Sequence, residues 1–203
     1  MAVEENLIVN PGFEEDFLAW QTWATGLAQV VIDTATAASG LKSAKLTKVE
    51  GDTGRCSINQ YIGKDKLAPG VSLQVRLKSI ADAWFRLVVY EWTPTGIRRQ
   101  FRIDIPPSVD WMQSAWLEFT TPSGVEWDDF TGFQIVVEGK ELSTNLDDFE
   151  AYTVLMPMVR VTFQSTPIAV TADINGVSVP SGGSIEAPLN TVINVTVPQE
   201  VAA

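Results

Sequence analysis

The residues best placed to do chemistry lie between Ala83 and Trp92. A period of two sets Phe85, Leu87 and Val89 on one side and Trp84, Arg86, Val88, Tyr90 and Trp92 on the other. Three aromatic rings and a guanidinium on the wet side of a strand are costly unless something covers them. One such cover is a sugar. Its C–H face stacks on indole or phenol, and its hydroxyls meet planar polar groups. Trp84, Tyr90 and Trp92 would then stack, and Arg86 would take hydroxyls or a carboxylate. The other cover is the protein's own chain, a loop or the C-terminal segment folded over the rings.

The residue types for covalent chemistry are scarce. There is no His, which removes Ser–His and Cys–His nucleophiles and His-ligated zinc. The single Cys56 forms no intrachain disulfide. The adjacent acids Asp128-Asp129 and Asp147-Asp148 would point to opposite faces of a strand and could not flank one glycosidic bond. The expectation is a protein that is not an enzyme.

Charge narrows the partners. The 203 residues carry a net charge of −11, which speaks against nucleic acid as a ligand. Nine basic residues between Arg55 and Arg102 face only Asp65, Asp82 and Glu91. If Arg76, Lys78, Arg86, Arg98 and Arg102 share a sheet face, an acidic glycan is the favoured ligand; the alternative is cross-strand pairing with neighbouring acids. No apolar run is long enough for membrane insertion. The N-terminus lacks the basic start and apolar stretch of a secretory signal. An extracellular place is expected, reached by secretion with the signal removed or on a virion surface.

The elements that must position these residues are strands. Val71 to Ser79, Ile97 to Ile105 and Phe133 to Val137 all alternate, and Pro- and Gly-containing turns separate them. One wet and one dry face per strand means antiparallel sheets. About ten strands of this kind imply an all-β fold, a β-sandwich of jelly-roll type. No convincing helix is present beyond one turn at Asp65 to Leu67. The sandwich is placed at residues 1–156. Residues 157–203 form a small β-rich unit, Ig-like or a connector, with strands around Val159–Phe163, Ala169–Ile174, Val177–Val179 and Val192–Val197. Asn175-Gly176 is its hairpin turn. So small a core is expected to pack on the sandwich, on a second copy or on a neighbouring domain.

Four short stretches carry a resemblance. Asn6-Leu7-Ile8-Val9-Asn10-Pro11-Gly12-Phe13-Glu14 with Leu18-Ala19-Trp20, Ser39-Gly40-Leu41-Lys42-Ser43, Ile58-Asn59-Gln60-Tyr61-Ile62 with Ala68-Pro69-Gly70, and Leu146-Asp147-Asp148-Phe149 follow one another in order. Together they resemble family-four carbohydrate-binding modules and their relatives, calcium-stabilised jelly rolls. The resemblance implies a structural Ca2+ ion held by Glu14, a backbone carbonyl at Lys42 or a neighbour, and Asp148; such an ion wants six to eight oxygens. It also implies that Gln134 shares the concave sheet with the aromatic strand, and that Trp20 and Trp116 are core. Trp23, Trp111 and Trp127 read as loop residues without a rank. The expected ligand-binding set is therefore Trp84, Arg86, Tyr90, Trp92, Gln134 and Arg76, and the expected partner is a polysaccharide. The rival expectation is a structural or adhesive surface protein, a virion decoration or fibre subunit, that uses the same face for assembly.

Overall fold

The structure is a computed structural model that describes residues 5–49, 51–139, 143–154, 158–164, 171–174, 177–188 and 193–197. The chain divides into two compact units, residues 1–154 and 155–203.

The first unit is a β-sandwich jelly roll. With strands numbered along the chain, one sheet joins β1 (Gln21–Ala24), β4 (Cys56–Gly63), β10 (Gly132–Gly139), β6 (Phe85–Thr93) and β7 (Gly96–Ile105), in that order. The other joins β2 (Gln29–Asp33), β3 (Ser43–Thr47), β11 (Ser143–Val154), β5 (Ser72–Ala81) and β8 (Ser108–Gln113), and β9 (Leu117–Thr120) also pairs with β5. Every pairing is antiparallel. The alternation seen in sequence is the alternation of burial: Leu73, Val75, Leu77, Ser79 and Ala81 of β5 are buried, and the residues between them are not. Both sheets turn such faces toward a shared core. An aromatic chain, Phe101–Phe119–Phe133–Phe130–Trp127, runs through one part of it. Phe13, Trp20 and Phe149 cluster in another.

Two helical turns interrupt the strands. A 3-10 turn at Lys64–Lys66 stands one residue ahead of the expected turn, and α1 (Val125–Asp128) has no counterpart in the sequence reading. Trp127 of α1 is no free loop residue. It packs on Phe130 at 5.2 Å with the Lys64 ammonium 4.8 Å from its ring.

In the second unit, β12 (Met158–Thr162) pairs with β15 (Ser184–Pro188), and β13 (Thr171–Ile174) lies between β14 (Val177–Pro180) and β16 (Val195–Thr196). Among the described residues its buried core is Ala172, Ile174 and Val179. The Thr166-Pro167 break, the start of the strand expected from Ala169, the Asn175-Gly176 turn and the boundary at Pro157 lie outside the described residues. Of the strand expected from Val192 to Val197, Val192 lies outside the described residues, and within 193–197 the strand is Val195–Thr196.

Candidate functional site

The outer face of the five-stranded sheet is a grid set by register. One row crosses it as Trp23, Ser57, Glu138, Arg86 and Asp104. The next holds Gln21, Asn59, Val136, Val88 and Arg102, and a third holds Tyr61, Gln134, Tyr90 and Gln100. Trp92 follows opposite Gly132. Adjacent strands lie about 4.8 Å apart, so Trp23 and Arg86 are separated by three steps, roughly 14 Å.

Three rings on this face are open to solvent. Trp84, in the turn before β6, is 61% exposed, Trp23 50% and Tyr61 47%. The expected site residues Trp84, Arg86, Tyr90, Trp92 and Gln134 all belong to this side of the sheet. Tyr90 and Trp92 are half-buried and fixed by hydrogen bonds. The Tyr90 hydroxyl donates to Glu138 Oε1 at 3.1 Å, and the Trp92 indole N–H donates to Gln134 Oε1 at 3.1 Å. Gln134 Nε2 in turn donates to Asn59 Oδ1 at 2.8 Å. Burial, with the Glu138 carboxylate beside it, holds the Tyr90 phenol above its ordinary range, so it remains a donor at neutral pH. Arg86 Nε donates to Asp104 Oδ1 at 2.9 Å. A depression of about 200 Å³ lies between Trp84, Phe85, Arg86, Asp104 and Glu138. The face thus offers open rings, a network with its rotamers locked, and planar polar groups at their edges.

Three expectations are corrected here. Arg76 is not on this face. It lies on β5 of the other sheet, where Nε and Nη2 both donate to Glu150 Oε2 and the guanidinium covers the Trp116 ring at 4.0 Å. Trp116 is accordingly half-buried on the outside of that sheet and not a core residue. The basic segment does not form one patch. Lys78 pairs with Asp148, Arg98 with the buried Glu91, and Arg99 with Glu91 and Glu126. A bulge between Glu91 and Trp92 admits the extra residue on β7 and carries Arg98 and Arg99 to Glu91. Of the five basic residues considered for a shared face, Arg86 and Arg102 remain.

Sequence reasoning missed Trp23, Tyr61, Glu138 and Asp104. Tyr61 lies over Gly132, where an added Cβ would stand 2.5 Å from its hydroxyl. The chain leaves that space empty for the ring.

The predicted ion ligands Glu14 and Asp148 approach the same turn from two sides. Glu14 Oε1 accepts the Leu41 and Lys42 N–H groups at 2.8 and 3.0 Å. Asp148 Oδ1 accepts the Ser39 hydroxyl at 2.5 Å, and Lys78 Nζ donates to its Oδ2 at 2.9 Å. Lys42 enters through its amide and its ammonium, which donates to the Glu14 carbonyl at 3.0 Å and Asp16 Oδ1 at 2.7 Å. Beside them the buried Asp147 accepts Ala38, Ser39 and Asp148 N–H groups, while desolvation pushes its carboxyl upward. An added Cβ at Gly40 would meet Glu14 Oε1 at 2.2 Å, and one at Gly12 would meet Asp147 Oδ1 at 3.3 Å.

All five non-glycine residues with positive φ among those described lie here or in the adjoining N-terminal segment: Asn10, Phe13, Asp16, Ala19 and Asp148. Four carboxylates, Glu14, Asp16, Asp147 and Asp148, stand here against the two ammonium groups of Lys42 and Lys78, and carboxylate oxygens are the donors a hard cation takes. Among the described residues no group of three or more acidic or sulfur- or imidazole-bearing side chains makes a ready metal cage, so backbone carbonyls would have to complete the shell.

No protein-family model matches the chain, and no curated protein matches it. Solved structures do share its fold. The enzymatically active domain of tailspike protein 4 from bacteriophage CBA120 aligns over 73% of this chain and 21% of its own, with a TM-score of 0.57 and 12% identity. A family-22 carbohydrate-binding module, a xylan-binding domain from Paenibacillus barcinonensis, aligns over 77% of this chain and 99% of its own, with a TM-score of 0.55 and 14% identity. A family-16 carbohydrate-binding module aligns over 72% of this chain and 99% of its own, with a TM-score of 0.54 and 18% identity. The chain thus shares a β-sandwich fold with these carbohydrate-binding modules and with the tailspike domain.

Proposed function

We propose that this protein binds a polysaccharide without cleaving it, on the outer face of the five-stranded sheet. The observation that carries the reading is the exposure of Trp84, Trp23 and Tyr61 beside half-buried rings already fixed by hydrogen bonds. A soluble face that leaves such rings open gains by covering them, and a pyranose ring supplies both the apolar face and the hydroxyls that this grid would satisfy. Arg86 is balanced by Asp104, so the Trp84 end of the face suits a neutral main chain. Binding at a shallow, wet face of this kind falls in the millimolar to micromolar range. The likeness to a xylan-binding domain supports the same reading, as does the jelly-roll likeness to the family-16 module.

A structural calcium ion at Glu14, Asp148 and carbonyls of the 38–42 turn is part of the proposal, supported by the excess of carboxylates there. Bound, it would supply charge neutralisation between the N-terminal segment and β11. The protein's place of action is outside the cell. A second reading, a virion surface protein that uses the face for assembly, is favoured by the tailspike likeness.

The test is a glycan array probed with the parent and with Trp84→Ala. Retention of the parent on neutral polysaccharides, lost in the variant, is the expected result. An array on which the parent holds nothing would overturn the sugar reading and leave the assembly reading.

A further inference from the structure

Across Glu138 from the Trp84 depression lies a second one of about 300 Å³, lined by Trp23, Arg55, Cys56, Ser57, Glu138 and Gly139. Its frame is built into the backbone. Trp23 stands opposite Ser57 where β1 meets β4. Just beyond, Arg55 N–H donates to Thr25 Oγ1 at 3.0 Å, and Thr25 N–H donates to the Arg55 carbonyl at 2.9 Å. The loop before Arg55 closes on the same strand end. Asp52 Oδ2 accepts the Leu27 N–H at 2.7 Å, and any Cβ on Gly54 would fall 2.1 Å from the Thr25 carbonyl oxygen. Arg55 is therefore held beside the open Trp23 ring.

The charge pattern separates the two depressions. Arg86 in the first is neutralised by Asp104. Arg55 in the second, like Arg102 elsewhere on the face, has no carboxylate within ion-pair distance among the described residues, although Arg76, Lys78, Arg98 and Arg99 all have one. A guanidinium offers a planar fork of donors that matches a carboxylate in bidentate fashion. Glu138, whose Oε1 accepts the Tyr90 hydroxyl, blocks an anionic group from the inner wall, while it can still accept sugar hydroxyls.

We propose that this second depression is a subsite for a uronic acid, with the pyranose stacked on Trp23 and its carboxylate on Arg55. The inference rests on the glycan reading above and deepens it: the bound polymer has a neutral main chain and carries acidic sugars, one of which reaches the β1 end of the face.

The test pairs neutral polysaccharides with their uronate-bearing counterparts, xylan with glucuronoxylan among them, against the parent, Arg55→Gln and Trp84→Ala. The expected result is about tenfold tighter binding of the uronate-bearing member, equivalent to about 1.4 kcal/mol. That advantage should shrink at high salt and vanish in Arg55→Gln, which binds the neutral member as the parent does. Equal affinity for both members, or an advantage that survives in Arg55→Gln, overturns the subsite and leaves the Trp84 platform standing. Failure of the parent to hold any member overturns both. An unchanged melting temperature shows that Arg55→Gln is folded, since the Arg55 side chain is exposed.

Discussion

At the scale of single residues, the same ring chemistry serves two ends, and exposure tells them apart. Trp20 and Phe149, with ring centroids 4.7 Å apart, are inside the sandwich, where Phe149 is fully buried. Truncating such a ring removes burial and leaves a cavity, so Phe149→Ala should destabilise by roughly 3–5 kcal/mol. Trp84, at 61% exposure, loses little on truncation, and Trp84→Ala should stay within about 0.5 kcal/mol of the parent. Urea unfolding of the two variants checks this, and a large loss in Trp84→Ala would make that ring structural. The pattern Trp84-Arg86-Tyr90-Trp92 was legible because period two is a direct image of the strand. Trp23 was not. Its strand, Gln21–Ala24, is exposed at all four positions and so has no dry side for a pattern to reveal. Arg76 was assigned to the wrong face because alternation shows which residues of a strand share a side, never which sheet the strand joins.

At the scale of elements, the N-terminal segment is the part most dependent on tertiary partners. It is tied to β11 by Asn6, whose Nδ2 donates to the Phe149 carbonyl and whose Oδ1 accepts the Ala151 N–H, and by the Leu7 N–H to the Ala151 carbonyl. Gln60 on β4 grips Val9 through both its donor and its acceptor. Phe13 adopts φ 59°, a conformation costly for a bulky side chain, and Asp148 adopts 44° within the β11 irregularity between Asp147 and Glu150. Such strain persists only where the surroundings impose it. With calcium at Glu14 and Asp148, chelation should lower the melting temperature by several degrees, and calcium but not sodium should restore it. A melting curve indifferent to chelator and to added calcium would mean that Lys42 and Lys78 alone balance the carboxylates. The residues of this cluster were legible through the Gly12-Phe13-Glu14 and Asp147-Asp148 stretches. The part played by the two lysine ammonium groups was not, because long-range pairing leaves no local periodicity. The Glu91 bulge was hidden for a similar reason: one extra residue in β7 looks like continued alternation until the partner strand is known.

At the scale of the molecule, the chain carries a charge of −11 while the face itself is nearly balanced. Most of the basic side chains that suggested an acidic ligand are consumed by cross-strand pairs within one sheet; the exposed ones are worth little to stability but enough to erase a positive field. What distinguishes the five-stranded sheet is open aromatic surface and not charge. The sheet opposite carries its own indoles, but Trp116 is already covered by Arg76 and Tyr152, and Trp111 of β8 is half-buried. The seven tryptophans therefore offer one direct reading, through the indole N–H signals of an amide-proton NMR spectrum recorded during titration with a polysaccharide fragment held on the array. Saturable shifts of Trp84 and Trp23, with Trp20 and Trp116 unmoved, are the expected result. Shifts confined to Trp116, or no shift at Trp84 when the fragment is bound, would contradict the assignment of the face.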